Sequence, residues 1–182
     1  MNGTIVIVPY NPEWPKAFWA ERQRIKAAFD SLALRIDHVG STSVPGLAAK
    51  PIIDIQVSVR RLQPIEAYSA PLQRLGYVHV PHPNDDAICP FFHTPAAWPH
   101  THHVHVVESG GAEERRIRAF RDYLLEHKEA ARQYEELKRR LAETFSAAGF
   151  SSQQEYAEAK TDFVSRLTEH AMAEGFPRSG SR

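Results

Sequence analysis

Cysteine is nearly missing from this sequence: Cys89 is the one such residue in 182. A lone thiol cannot close an internal disulfide, so the fold must rest on its core, and a reducing cytoplasm is the expected compartment. Long apolar runs are missing too. The stretch from Thr4 to Val8 is too short for a signal or a membrane span, so no membrane association is expected. Net charge is also lacking, with 22 Lys and Arg against 22 Asp and Glu. No global field draws in polyanions, and any contact with nucleic acid has to come from a local patch. There is no repeat or low-complexity segment, and no feature points to a specific protein partner.

What is present is ordinary globular composition, 42% hydrophobic and 24% charged, on a chain long enough for one well-filled core and short for two. The expected organisation is a single domain over 1–174 and a disordered tail over 175–182. The unusual count is histidine. There are ten, and they bunch at His79 and His82 and again at His93, His100, His102, His103 and His105.

Periodicity predicts an α+β chain. Thr4–Val8 is a short β-branched run. Asn11-Pro12-Glu13 then supplies a cap, a proline and an early acid for a helix reaching about Ser31, with Trp14, Phe18, Ile25 and Phe29 as its apolar stripe. Ala33–Val39 and Pro51–Val59 read as strands. In the second, Ile53, Ile55, Val57 and Val59 share one face, and Asp54, Gln56 and Ser58 the other. Leu62–Leu75 reads as a helix closed by Gly76, despite Pro71. Strands follow over 77–80, 88–93 and 102–108, the last placing His103 and His105 on one face. From Ala112 to Ala173 the chain turns helical, with breaks near 127–129 and 148–150. Ser152-Gln153-Gln154-Glu155 resembles a capping box opening the last helix.

The candidate site lies between the first two long strands. Phosphoryl and nucleotidyl transfer require donors that hold phosphates and acids that hold the neutralising cations. Gly40 lets the backbone approach phosphate closely, and Ser41, Thr42 and Ser43 add hydroxyls. Lys50 adds a cation shortly before the next strand, and Asp54 is the carboxylate within it. Arg115, Arg116, Arg118 and Arg121 are interleaved with Glu113, Glu114 and Asp122, a mixture that reads as a solvated helix face.

The run from His38 to Ile55, HVGSTSVPGLAAKPIIDI, resembles the signature of the GrpB family. So do Tyr10–Trp14, His103–Val106, Phe120–Leu124 and Tyr156–Lys160, which extends the resemblance over nearly the whole chain. It implies a branch of the nucleotidyltransferase superfamily with a polymerase-beta-like core: a small mixed sheet with helices packed on it and a C-terminal helical segment walling the cleft. It also makes Arg121 and Lys160, inside family motifs, candidates for reaching a phosphate. One departure matters. Superfamily enzymes carry a second acid two residues after the first, and here that position is Gln56, whose neutral amide cannot bridge metals as a carboxylate does.

Histidine nitrogens with one carboxylate suit zinc or manganese better than magnesium, so Asp54, His103 and His105 are the expected catalytic residues and metal ligands, with a divalent ion (Mg, Mn or Zn) as cofactor. Three readings result: a nucleotidyltransferase-like enzyme acting on a nucleotide or RNA, a metal- or histidine-dependent phosphodiester hydrolase, and a non-catalytic nucleotide-binding module.

Overall fold

The protein is described by a computed structural model that covers residues 5–81, 86–145 and 150–178, side chains of 150–152 excepted. Helix α1 (Trp14–Phe29) opens where the Asn11 side-chain oxygen accepts a hydrogen bond from the Glu13 amide at 2.9 Å. Its predicted stripe is its buried side: Trp14, Phe18, Ile25 and Phe29 all lie in the core. Strands β1 (Ala33–Val39) and β2 (Ile53–Val59) follow, joined through a short 3-10 turn at Ser41–Ser43. Helix α2 (Glu66–Arg74) tolerates Pro71, whose ring is buried on the same side as Tyr68 and Leu72. Strands β3 (Val78–Val80), β4 (Phe91–Thr94) and β5 (His102–Glu108) complete one five-stranded mixed sheet in the order β1-β2-β5-β4-β3.

Only β2 and β5 run parallel, and their register sets Asp54 beside His103 and Gln56 beside His105. The antiparallel β1–β2 pair sets Val39 against Asp54 and Asp37 against Gln56. Side chains alternate across a strand, so these registers sort the sheet into two unlike faces. One carries Ile36, Ile53, Ile55, Val57, Val59, Phe92, Val104 and Val106 and packs under α1 and α2 as the main core. Ile55, Val57, Val104 and Val106 are fully buried there, each burial contributing about 1.5–3 kcal/mol. The other face is polar and faces the C-terminal helices.

Those helices are α3 (Ala112–Glu126), α4 (Lys128–Thr144), α5 (Phe150–Glu158) and α6 (Thr161–Ala173). The chain is therefore α+β as expected, but helices cover both sides of the sheet. In the Thr4–Val8 run, Ile5 is buried and Val8 makes a single bridge to Ala49. Several finer expectations are corrected. The helical C-terminal segment breaks once more, between α5 and α6. Helix α5 begins at Phe150, before the supposed capping box, and the Ser152 side chain lies outside the described residues.

The polar helix face around Arg121 is not solvated. Glu114, Arg121 and Asp122 are buried against the sheet, with Ser58 donating to Glu114 at 2.6 Å. The first part of the expected tail is ordered as well: Phe176 is buried against Tyr123 and Arg178 pairs with Glu126, while 179–182 lie outside the described residues. No helix among the described residues is long and apolar enough to cross a membrane.

Candidate active site

The turn after β1 is held by its own hydroxyls. Gly40 adopts φ +66° and ψ −172°, a region that side-chain-bearing residues avoid. A Cβ at this position would lie 2.3 Å from Asp54 Oδ2, so the glycine backbone packs directly on the carboxylate. Ser43 Oγ donates to the Gly40 carbonyl at 2.5 Å, and Thr42 Oγ1 donates to the Ile52 carbonyl at 3.2 Å while meeting His38 Nε2 at 3.0 Å. Thr42 is 1% exposed and thus braces the turn from inside rather than facing a ligand. His38 stacks on Phe18 in the core, and burial lowers it to about 4, so it braces the turn as a neutral ring. The Ser41 hydroxyl lies near the Tyr134 hydroxyl of α4.

Asp54, His103 and His105 converge as their strand register requires. His103 Nδ1 lies 3.3 Å and His105 Nε2 3.7 Å from the same carboxylate oxygen, Oδ1. The Asp54 side chain keeps 27% exposure. Burial alone would raise its carboxyl, but the two imidazoles outweigh that and hold it well below the ordinary carboxylate range. Burial and Asp54 act on the rings with opposite results. His103 is pushed down, because burial dominates, whereas His105 is pushed up by Asp54 and by Cys89, whose sulfur is 4.0 Å from Nδ1. At neutral pH the cluster is a carboxylate with one cationic and one neutral imidazole. His100 Nδ1 meets His103 Nε2 at 3.1 Å, which extends the chain by a further ring.

These side chains satisfy one another rather than framing a common point. Among the described residues, no group of three or more His, Cys, Asp or Glu side chains is placed to hold a metal ion. As arranged, the donor set does not fit the expected divalent ion.

A cleft of about 240 Å³ opens beside Gly40, Asp54 and His105 and is closed on its far side by Ile117 and Phe120 of α3 and Val164 and Thr168 of α6. Gln56, standing where a second acid was expected, is fully buried beneath this cleft, and neither amide atom has a hydrogen-bond partner among the described residues. A carboxylate at that position would be shut away from solvent and from any ligand.

The basic residues divide. Arg121 does not reach the cleft: it is 4% exposed, bonded to Asp122 at 2.6 Å, 3.6 Å from Asp37, and donates to the His38 carbonyl at 3.1 Å. It fixes α3 to β1. Lys50 and Lys160 do meet, with their ammonium groups 5.2 and 4.3 Å from the Tyr156 ring centroid. A third lysine, Lys138, joins them from α4. It was not anticipated, although Tyr134, Lys138 and Ala142 recur at i, i+4 and i+8, and a lysine on a buried helical stripe is a legible signal.

Fold and site together define an α+β protein in which a glycine-serine turn closes over a strand carboxylate flanked by two strand histidines. The chain belongs to the GrpB family, whose model, described as GrpB protein, matches residues 4–170. It is 36% identical over 174 residues to a UPF0157 protein of Halalkalibacterium halodurans, covering 94% of this chain and 85% of that one. A UPF0157 protein of Pseudomonas aeruginosa is 38% identical, covering 94% and 69% respectively. The crystal structure of the conserved protein GrpB from Enterococcus faecalis superposes with a TM-score of 0.78 at 29% identity, over 93% of this chain and 98% of that one.

Proposed function

We propose that this GrpB-family chain is a nucleotidyltransferase-like enzyme acting on a phosphate ester of a nucleotide or RNA at the Gly40–Asp54 cleft. The observation that carries the reading is the packing of Gly40 on the Asp54 carboxylate, which brings turn and acid into one site where a phosphate and its attacking group can meet. In the reaction, an acceptor hydroxyl oxygen bonds to the α-phosphorus of a nucleoside triphosphate and the bond to the β-phosphate oxygen breaks. Pyrophosphate leaves, and the hydroxyl proton passes to a neutral imidazole of the His100–His103 pair. Cationic His105 offsets charge developing on the phosphate oxygens. The Gly40–Ser41 backbone and the Ser41 hydroxyl supply the phosphate contacts. The arrangement lends no support to the divalent ion expected from the sequence, and any requirement for one is read from the metal arms of the assay below.

Hydrolysis of a phosphodiester is the second reading, favoured by the chain His100–His103–Asp54, in which the carboxylate orients an imidazole that faces a second one. Here water replaces the acceptor hydroxyl and the product is shorter. One gel assay separates the two: end-labelled RNA with four nucleoside triphosphates under magnesium, manganese or zinc, beside Asp54→Ala. Longer products lost in Asp54→Ala support transfer. Shorter products lost in His103→Ala support hydrolysis, and an unchanged product pattern in both variants would remove the site from the chemistry.

A further inference from the structure

Three ammonium groups lie together on the α4–α5 side of Asp54. Lys50 and Lys160 share the Tyr156 ring, and Lys50 also lies 5.7 Å from the Trp98 ring centroid. Lys138 sits 4.8 Å from the Tyr134 ring centroid and donates to the carbonyl of Ala48, two residues from Lys50. Lys138 is 2% exposed. None of the three has a carboxylate within salt-bridge distance among the described residues. Lys50 reaches only the Gln153 side-chain oxygen at 3.3 Å, and the Lys160 ammonium has no hydrogen-bond partner among the described residues. The nearest acids do not answer them. Asp54 is committed to two imidazoles, and Glu135 accepts from Arg139 at 2.9 Å and from the Ala48 amide.

One buried and two half-buried ammonium groups with no carboxylate at salt-bridge distance are costly in a free protein, and each depresses its neighbours' affinity for protons. Lys160 weakens Lys138, and Lys50 weakens Lys160, in addition to the larger effect of burial. Such a cluster makes chemical sense as a site completed by an anion. Its aromatic walls exclude water and strengthen each contact, and the ammonium groups keep N–H donors free for it.

We propose that Lys50, Lys138 and Lys160, with the Tyr134–Ser41 hydroxyl pair at their edge, form a subsite for an oligophosphate group, the di- or triphosphate of a soluble nucleotide, rather than for the singly charged backbone phosphates of RNA. The proposal deepens the reading of the cleft and rests on it only in placing the bound phosphates beside Asp54. A bound anion holds the three lysines protonated, and three positive charges then match an anion of comparable charge, whereas one phosphodiester would leave most of the cluster unanswered.

The test is calorimetric titration of the full chain with inorganic tripolyphosphate in EDTA, in which no turnover is required. Wild type is expected to bind, orthophosphate to bind at least about tenfold more weakly, and affinity to fall with added salt. Lys138→Met and Lys160→Gln should each weaken tripolyphosphate by about tenfold or more. Asp54→Asn should tighten it, because a negative charge facing the same anion is removed. The melting temperature of ligand-free Lys138→Met should equal or exceed that of wild type at pH 7, since an apolar isostere replaces a buried unpaired ion. A lysine kept only for structure would give the reverse pattern, a lower melting temperature with unchanged affinity, and would overturn the proposal. So would absence of tripolyphosphate binding, or a short RNA oligonucleotide binding more tightly than tripolyphosphate. If tripolyphosphate binds as described while no nucleotide or RNA is turned over, the subsite stands and the catalytic reading falls.

Discussion

A methyl group on residue 40 has nowhere to go. It would meet Asp54 Oδ2 at 2.3 Å from a backbone held at positive φ, so strain and clash act together. Gly40→Ala should therefore cost about 2–4 kcal/mol in urea unfolding, and any activity at the cleft should be lost with the displaced carboxylate. A cost below about 0.5 kcal/mol would mean that the turn does not sit on Asp54 as described.

Lys138 makes a second prediction at this scale. Burial, reinforced by Lys160 and Arg139 and opposed by Glu135 and Asp54, lowers it to about 7, against roughly 10.4 for a free lysine. Between those values the unfolded chain holds the additional proton, so stability rises with pH through this window, and the cost of burying the charge is fully present below its lower end. The melting temperature of wild type relative to Lys138→Met should accordingly climb from pH 7 towards pH 10. A flat difference would contradict a strongly buried ammonium.

At the scale of the element, strands β2 and β5 organise the site, and both were legible in the sequence. Strict alternation in IDIQVSV and HHVHVVE separates an apolar face from a face carrying Asp54, His103 and His105, and the parallel register does the rest. What could not be read was which polar residues face protein and which face open space. The Arg121 stretch has the composition of a solvated surface, yet α3 lies across the polar side of the sheet, where Asp37, Ser58 and Gln56 need polar neighbours. Thr42 was misplaced for a similar reason: a hydroxyl in a turn serves the turn as readily as a ligand.

Arg121→Met isolates this distinction. It removes the Arg121 guanidinium from buried Asp122 and from Asp37, the latter keeping Arg35 at 2.6 Å, and should destabilise the fold by about 3 kcal/mol in chemical unfolding. Tripolyphosphate affinity of the folded fraction should stay at the wild-type value, whereas a weakened affinity would return Arg121 to the phosphate site.

For the whole molecule, two helical layers treat the sheet differently. Helices α1 and α2 seal its apolar face, and α3 to α6 roof its polar one, leaving the cleft beside Asp54 and the lysine cluster around Tyr156. The overall α+β architecture followed from periodicity and from the family signature. The C-terminal helices were expected only as a wall of the cleft, and their roofing of the whole polar face was not legible, because a helix's apolar stripe shows that it is buried without showing against what. The buried Gln56 is likewise a property of the assembled layers. Its side-chain chemistry was plain from the sequence, but its complete enclosure arises from α3 and the neighbouring strands.

The central claim, that the turn and Asp54 carry out phosphate-ester chemistry, is tested most directly by phosphorus NMR of nucleoside triphosphates incubated with an RNA acceptor, wild-type protein and each divalent ion in turn. The account predicts release of pyrophosphate by wild type and none by Asp54→Asn. Triphosphate signals that stay unchanged in every condition, or pyrophosphate released equally by Asp54→Asn, would contradict it.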